Sequence, residues 1–235
     1  MGSDLAERWE ILPAPYAKLS EAIETRLGVV VVRLPAPRGI SGAACRLEEF
    51  DGILINACEP AHRQHFDLAH ELFHILTWES IPPKPLEASG APGKDRSRAE
   101  KFADNFAAGL LLPTASLAKH WERRPDSKLA AFVKQLAGEY QVSGEALFYR
   151  LLNLGWLTDD EAGFLRRCSL KQPSQSGPSR TATRFDLGSL FTRRLHTALA
   201  DGRVTARKAA QVLGCTIDDL RDVCAEYGLP DPIAG

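Results

Sequence analysis

The stretch "RQHFDLAHELFHIL", residues 63–76, sets His70, Glu71 and His74 inside an otherwise apolar segment. On a helix, residues four apart lie on one face a turn from each other, so His70 and His74 present two imidazole nitrogens to one point. Zinc accepts neutral imidazole at about 2.0–2.1 Å, and this spacing meets that requirement without distorting the backbone. Glu71, one residue along, is turned away from direct ligation but within reach of a water held at that point. Two ligands and a general base are the chemistry behind the His-Glu-x-x-His pattern. The competing reading is of polar groups on an ordinary core helix. It is disfavoured by the apolar neighbours Phe66, Leu68, Ala69, Leu72, Phe73, Ile75 and Leu76, because buried imidazoles beside a carboxylate are costly unless a metal compensates them.

A catalytic zinc takes a third protein ligand and keeps one position open. The segment "RAEKFADNFAAGLLLP", residues 98–113, supplies Glu100 as that ligand, on a helix that returns after a loop at 81–97 carrying four prolines and two glycines. Asp104 follows one turn later on the same face and reads as the acceptor that orients a ligand histidine through its free N–H. Spacing alone also permits the two carboxylates to exchange roles, or Asp104 to be a solvated carboxylate. His62, His65, His120 and His196 lack ligand-like company and read as structural or surface residues. Cys58, just before the motif helix, is the cysteine nearest in sequence for zinc's fourth position in a resting form.

Outward from this motif, Tyr16, Leu19, Ile23 and Leu27 recur at helical spacing before Gly28, which predicts a helix over 15–27. The β-branched run at 29–32 reads as a buried strand. "GAACRL", the turn "EEFDG" and "ILIN" read as a hairpin, because Asp51-Gly52 supplies turn chemistry between two strand-like runs, so the sheet has three or four strands. The motif helix is expected from about Pro60 to Thr77 and the next over 98–112. Helical patterns continue through "SKLAAFVKQLAGEYQ" and "SGEALFYRLLNLG", a helix-turn-helix-like pair over about 127–157. Thr158 and Glu161 then give a capping-box signal. Residues 169–184, rich in Ser, Pro, Thr and Gln, read as a linker, which divides the chain into 1–168 and 185–235. In the second part three short helices are expected, with Thr205 and Thr216 as N-caps and Gly214 and Gly228 as stops. The fold class is therefore α+β: a small, mostly N-terminal sheet on a helical core, followed by a small all-α C-terminal segment.

The chain has 235 residues, 44% of them hydrophobic and 25% charged, with 29 basic against 30 acidic side chains. That is room for one catalytic domain and a smaller appendage, and the balance demands no polyanionic partner. The N-terminus shows no leader pattern, and no segment reaches the roughly 18 uninterrupted apolar residues that span a bilayer, so no membrane partner and a cytoplasmic location are expected. The five cysteines, odd in number and without CxxC spacing, fit reduced thiols. Met1–Ser3 also fit an expression remnant. Oligomeric state is not legible.

"RQHFDLAHELFHIL" followed by "EKFADNFAAGLLLP" resembles the ImmA/IrrE family of bacterial zinc-dependent metallopeptidases. "SGAACRLEEFDGILIN" and "QVSGEALFYRLLNLGWL" match the same arrangement, so the resemblance covers roughly residues 15–160. It implies a gluzincin-type peptidase domain within 1–168, with Zn2+ held by His70, His74 and Glu100 and with Glu71 as the base. It also implies a substrate, a helix-turn-helix transcriptional repressor whose cleavage derepresses stress-response or mobile-element and defence genes, with DNA as an activating ligand. Phe73 stands where the family usually has glycine, which would narrow the cleft, and Asp104 where asparagine is common. Neither Tyr149 nor Arg150 is selected by sequence as an oxyanion donor.

The rival from another class is a DNA-binding or non-catalytic regulatory protein that binds and sequesters a repressor. "VTARKAAQVLGCTIDDLRDVC" has a helix-turn-helix outline, but residues 185–235 carry six basic against seven acidic side chains, which leaves no electrostatic footprint for phosphates.

Overall fold

The computed structural model describes residues 1–11, 15–37, 39–81, 98–125, 127–170 and 186–233. The expected proline-rich loop, apart from Ile81, and all but the start of the expected linker lie outside the described residues. Helix α1 (Gly2–Trp9) and helix α2 (Tyr16–Leu27) lead into a sheet of β1 (Val30–Leu34), β2 (Gly42–Arg46) and β3 (Asp51–Asn56). The order is β1-β3-β2, with β3 central, parallel to β1 and antiparallel to β2. Helix α2 stops where expected, because Gly28 takes the left-handed conformation at φ 67° and returns its N–H to the Glu24 carbonyl.

The hairpin exists and its turn overlaps the expected 48–52 stretch, but Asp51-Gly52 is not part of the turn. The connection runs over Leu47–Phe50, closed by the Leu47 N–H to the Phe50 carbonyl, and both Asp51 and Gly52 lie inside β3. Their sheet roles explain this. Asp51 faces Arg46 across the ladder and accepts two hydrogen bonds from its guanidinium at 2.8 and 2.9 Å. Gly52 lies between Val30 and Cys45, where a Cβ would come within 3.1 Å of the Cys45 sulfur.

Helix α3 (Ala61–Leu76), with Pro60 at its N-cap, packs beneath the sheet and against α4 (Arg98–Leu111). Its inner face buries Leu68, Ala69, Leu72, Phe73 and Ile75, and α4 contributes Ala103, Phe106, Ala107 and Leu110 to the same core. Burial at about 25 cal/mol per Å² makes this shared core the main stabilising term of the site's scaffold. Helices α5 (Thr114–Trp121), α6 (Leu129–Glu139), α7 (Gly144–Asn153) and α8 (Asp159–Arg167) follow. Ser143 caps α7 at 3.0 Å, and Thr158 and Glu161 form the expected capping box of α8.

Two helices went unread in the sequence. Helix α5 is short and follows directly on Pro113. Helix α1 packs on the main core: a Cβ on Gly2 would collide with the Phe106 carbonyl, and Leu5, Ala6 and Trp9 join the core cluster. Arg150 fixes this corner by donating to the Leu112 carbonyl at 3.1 Å, Ser3 Oγ at 3.1 Å and Thr114 Oγ1 at 3.0 Å. Arg150→Ala is expected to cost about 2–3 kcal/mol, since it strips donors from partly buried acceptors. A denaturant midpoint unchanged from wild type would refute that role.

The C-terminal segment forms α9 (Gly188–Ala200), α10 (Ala206–Leu213) and α11 (Ile217–Glu226), with Thr205 and Thr216 as caps and Gly214 and Gly228 left-handed. It has small apolar clusters of its own, around Leu199, Ala209, Ala210 and Leu220 and around Leu187 and Val223. It also abuts β1. Arg33 and Asp186 exchange both backbone hydrogen bonds, and the Glu24 carboxylate accepts from the Ser189 and Leu190 N–H groups at the start of α9. Gly188, at φ 66°, leaves no room for a Cβ against the Val31 carbonyl. Among the described residues no helix is long and apolar enough to cross a membrane.

Candidate metal centre

Helix α3 carries His70 and His74 on one face, and α4 brings Glu100 to them. The two Nε2 atoms are 3.2 Å apart, Glu100 Oε2 is 3.2 Å from His70 Nε2, and Glu100 Oε1 is 3.5 Å from His74 Nε2. One ligand atom from each residue falls in a group whose members all lie within 4.8 Å of one another. Two donors held tetrahedrally about 2.05 Å from one ion are about 3.3 Å apart, so the two Nε2 atoms are spaced as neighbouring donors to one such ion, with one Glu100 oxygen close to each. The donor set fits a divalent cation, and its composition, two imidazoles and a carboxylate, is one used in catalytic zinc sites. Cys58 is exposed and outside the group.

The two carboxylates of α4 divide the labour. Glu100 faces the Nε2 atoms, whereas Asp104 Oδ1 lies 3.0 Å from His70 Nδ1, on the other side of the ring. That hydrogen bond fixes the ring orientation and leaves the Nε2 lone pair directed at the shared point. Asp104→Ala is expected to weaken metal affinity roughly ten- to hundredfold. Unchanged affinity by competition with a chelating dye would remove Asp104 from the site.

The charges agree with a cation-seeking cluster. Burial lowers the His70 pKa, but hydrogen bonds to Asp104 and Glu100 and the Glu71 charge outweigh it and lift it to about 9. Burial and the neighbouring His70 charge push His74 down. The pair therefore shares one proton, which a metal ion must displace. Among the described residues His74 Nδ1 is buried with no hydrogen-bond partner, a cost that those residues do not offset.

Glu71 stands apart from the donor triangle and faces β2. A Cβ on Gly42 would come within 3.1 Å of its Cγ, and the Ala44 N–H hydrogen-bonds its carboxylate. Burial pushes its pKa up to about 7, with the His70 charge opposing. A carboxyl tuned there exchanges protons readily near neutrality. Gly42 and the buried Asp67, which pairs with Arg63 at 3.1 Å, were not singled out in the sequence. A glycine inside a strand was the available signal for Gly42; Asp67 lies one helical turn before Glu71 and gave none beyond that.

Phe73 does not narrow a cleft. It is 5% exposed, with its ring 5.7 Å from that of Phe106, so its bulk goes into the core. Arg150 is engaged in the corner described above, and Tyr149 is exposed. His65 is buried, with Nδ1 3.1 Å from the Gln141 carbonyl, away from the triangle.

A search among curated proteins returns no match. A family model described as the IrrE N-terminal-like domain, of a peptidase family, matches residues 24–152, more than half of the 235-residue chain. That span holds the sheet, both site helices and every residue of the triangle, and the chain belongs to the peptidase family of the IrrE N-terminal-like domain.

Proposed function

We propose that the protein is a zinc-dependent endopeptidase that cleaves a helix-turn-helix transcriptional repressor and so derepresses stress-response or mobile-element and defence genes. The observation that carries the peptidase half is the convergence of His70, His74 and Glu100 on one point, with the buried carboxyl of Glu71 beside it. The repressor half rests on the resemblance carried by the two sequence motifs, and the peptidase family match is compatible with it.

Bound at the triangle, zinc supplies Lewis acidity toward a peptide carbonyl and an attacking water. The chain's own residues do the rest. Glu71 takes the water's proton during attack and returns it to the leaving amine. The Ala44 N–H and the bare Gly42 backbone hold Glu71 in place, and Asp104 holds His70. An extended substrate backbone suits a site walled by a strand.

The test uses the full chain, zinc and the helix-turn-helix repressor encoded beside its gene. Repressor fragments are expected with zinc, none after chelation, and fragments again when zinc is restored. An intact repressor held in a stable complex with the zinc-loaded protein would overturn cleavage in favour of sequestration.

A further inference from the structure

The charges of the C-terminal segment nearly cancel in the sequence, but the fold sorts them by helix. Helix α11 and the turn after it carry Asp218, Asp219, Asp222, Glu226 and Asp231 against Arg221, whereas α9, α10 and the turn between them carry Arg193, Arg194, Arg203, Arg207 and Lys208 against Asp201. The α10–α11 pair has a helix-turn-helix outline, with Gly214, Cys215 and Thr216 between the helices. Its acidic second helix would be repelled by a phosphate-lined groove. The basic helices have a different neighbour.

Arg193, Arg194 and Arg203 line a groove of about 590 Å³ between α9 and the turn of the β2–β3 hairpin, together with Phe50, Phe191 and Glu49. Arg194 lies 5.7 Å from the centre of the Phe50 ring, and a guanidinium stacked this way keeps its N–H edge available for a phosphate. Arg203 holds Asp201 at 3.1 Å, but the two side chains are 64% and 55% exposed, and such a pair contributes little and exchanges readily. Arg193 has no ion-pair partner among the described residues. Three arginines thus line one concavity, Arg193 at its border with a second cavity, and Glu49 is the acidic residue among those lining it. A larger cavity of about 1360 Å³ beside α2 differs in this respect. Its Arg33 is paired with Asp186 at 3.3 Å, its Glu24 is seated on the α9 amides, and Arg193, which borders both cavities, has Glu21, Glu24 and Asp186 among its neighbours along that wall.

We propose that the groove between α9 and the hairpin turn binds a phosphate-bearing ligand through Arg193, Arg194 and Arg203. The site is separate from the metal centre and does not depend on the peptidase reading. The ligand would rest on the far end of the hairpin whose β2 strand faces Glu71.

Phosphates reach such a groove either on a small molecule or on a nucleic-acid strand. The experiment titrates the full chain with inorganic triphosphate by calorimetry and with a short labelled single-stranded oligodeoxynucleotide by fluorescence anisotropy. Arg193→Ala and Arg203→Ala are compared with Arg207→Ala, which lies outside the groove. Each groove substitution is expected to weaken binding about five- to tenfold, the loss of one charge-assisted hydrogen bond, and Arg207→Ala to leave it unchanged. For the oligonucleotide, each lost arginine lowers the slope of log affinity against log salt by about 0.7. Binding of triphosphate alone identifies a small ligand, and binding of the oligonucleotide identifies a strand. Failure of both probes at low salt, or equal binding by wild type and the two groove variants, overturns the proposal.

Discussion

Glu71→Gln is expected to leave the metal content of the protein unchanged and to lower its rate of peptide hydrolysis by about 10³–10⁴-fold, the upper range for losing a positioned general base. The amide is close to isosteric and its oxygen still accepts from the Ala44 N–H, so β2 and α3 keep their separation. What disappears is a group that can carry a proton from water to the leaving amine. Fragment analysis by mass spectrometry, alongside metal content by atomic spectroscopy, reads both halves. Equal cleavage by wild type and variant would sink the assignment of Glu71 as base.

The same substitution has a signature in metal-free protein. The Glu71 pKa rises from an ordinary value of 4.5 to about 7 on folding, so the folded state favours the protonated carboxyl. Its contribution to stability is fully present below pH 4.5 and is lost as pH rises through 7. The Gln variant lacks this titration, so its stability relative to wild type should rise across that interval.

His70→Ala gives the second large effect, the loss of the metal itself. Two donors, His74 and Glu100, cannot enclose the ion, and Asp104 is left facing a void rather than an imidazole. Affinity should fall well beyond the roughly ten- to hundredfold range of an outer partner, with hydrolysis falling in parallel. The helix should survive, because the core contacts of α3 come from Leu68, Leu72, Phe73 and Ile75 on its inner face. Circular dichroism at wild-type level with zinc content near zero is the expected pair of results. Undiminished zinc would remove His70 from the ligand set.

The motif helix was legible because an i, i+4 histidine pair within an apolar run leaves one geometry for both to meet. Glu100 and Asp104 are also one turn apart, and that is why spacing could not divide their roles. The division depends on which ring nitrogen each carboxylate faces, a property of how α4 lies on α3. Asp51-Gly52 misled because its turn propensity is local, whereas its pairing with Arg46, Cys45 and Val30 is made across three strands. The six-to-seven charge balance of residues 185–235 hid a basic groove, since a sum over sequence discards position.

The docking of α1 has a consequence for the order in which the molecule is assembled. Ser3 bonds to the Gly109 carbonyl, 106 residues away, and is held by Arg150, 147 residues away. During synthesis α1 can meet Arg26 of α2 early, but it waits for α4, and then for α7, before Ser3 has anything to close against. Contacts of such long sequence separation form late, since loop closure must come first. Helix α1 is thus among the last parts of the core to be fixed in place, although it is made before the helices that hold it.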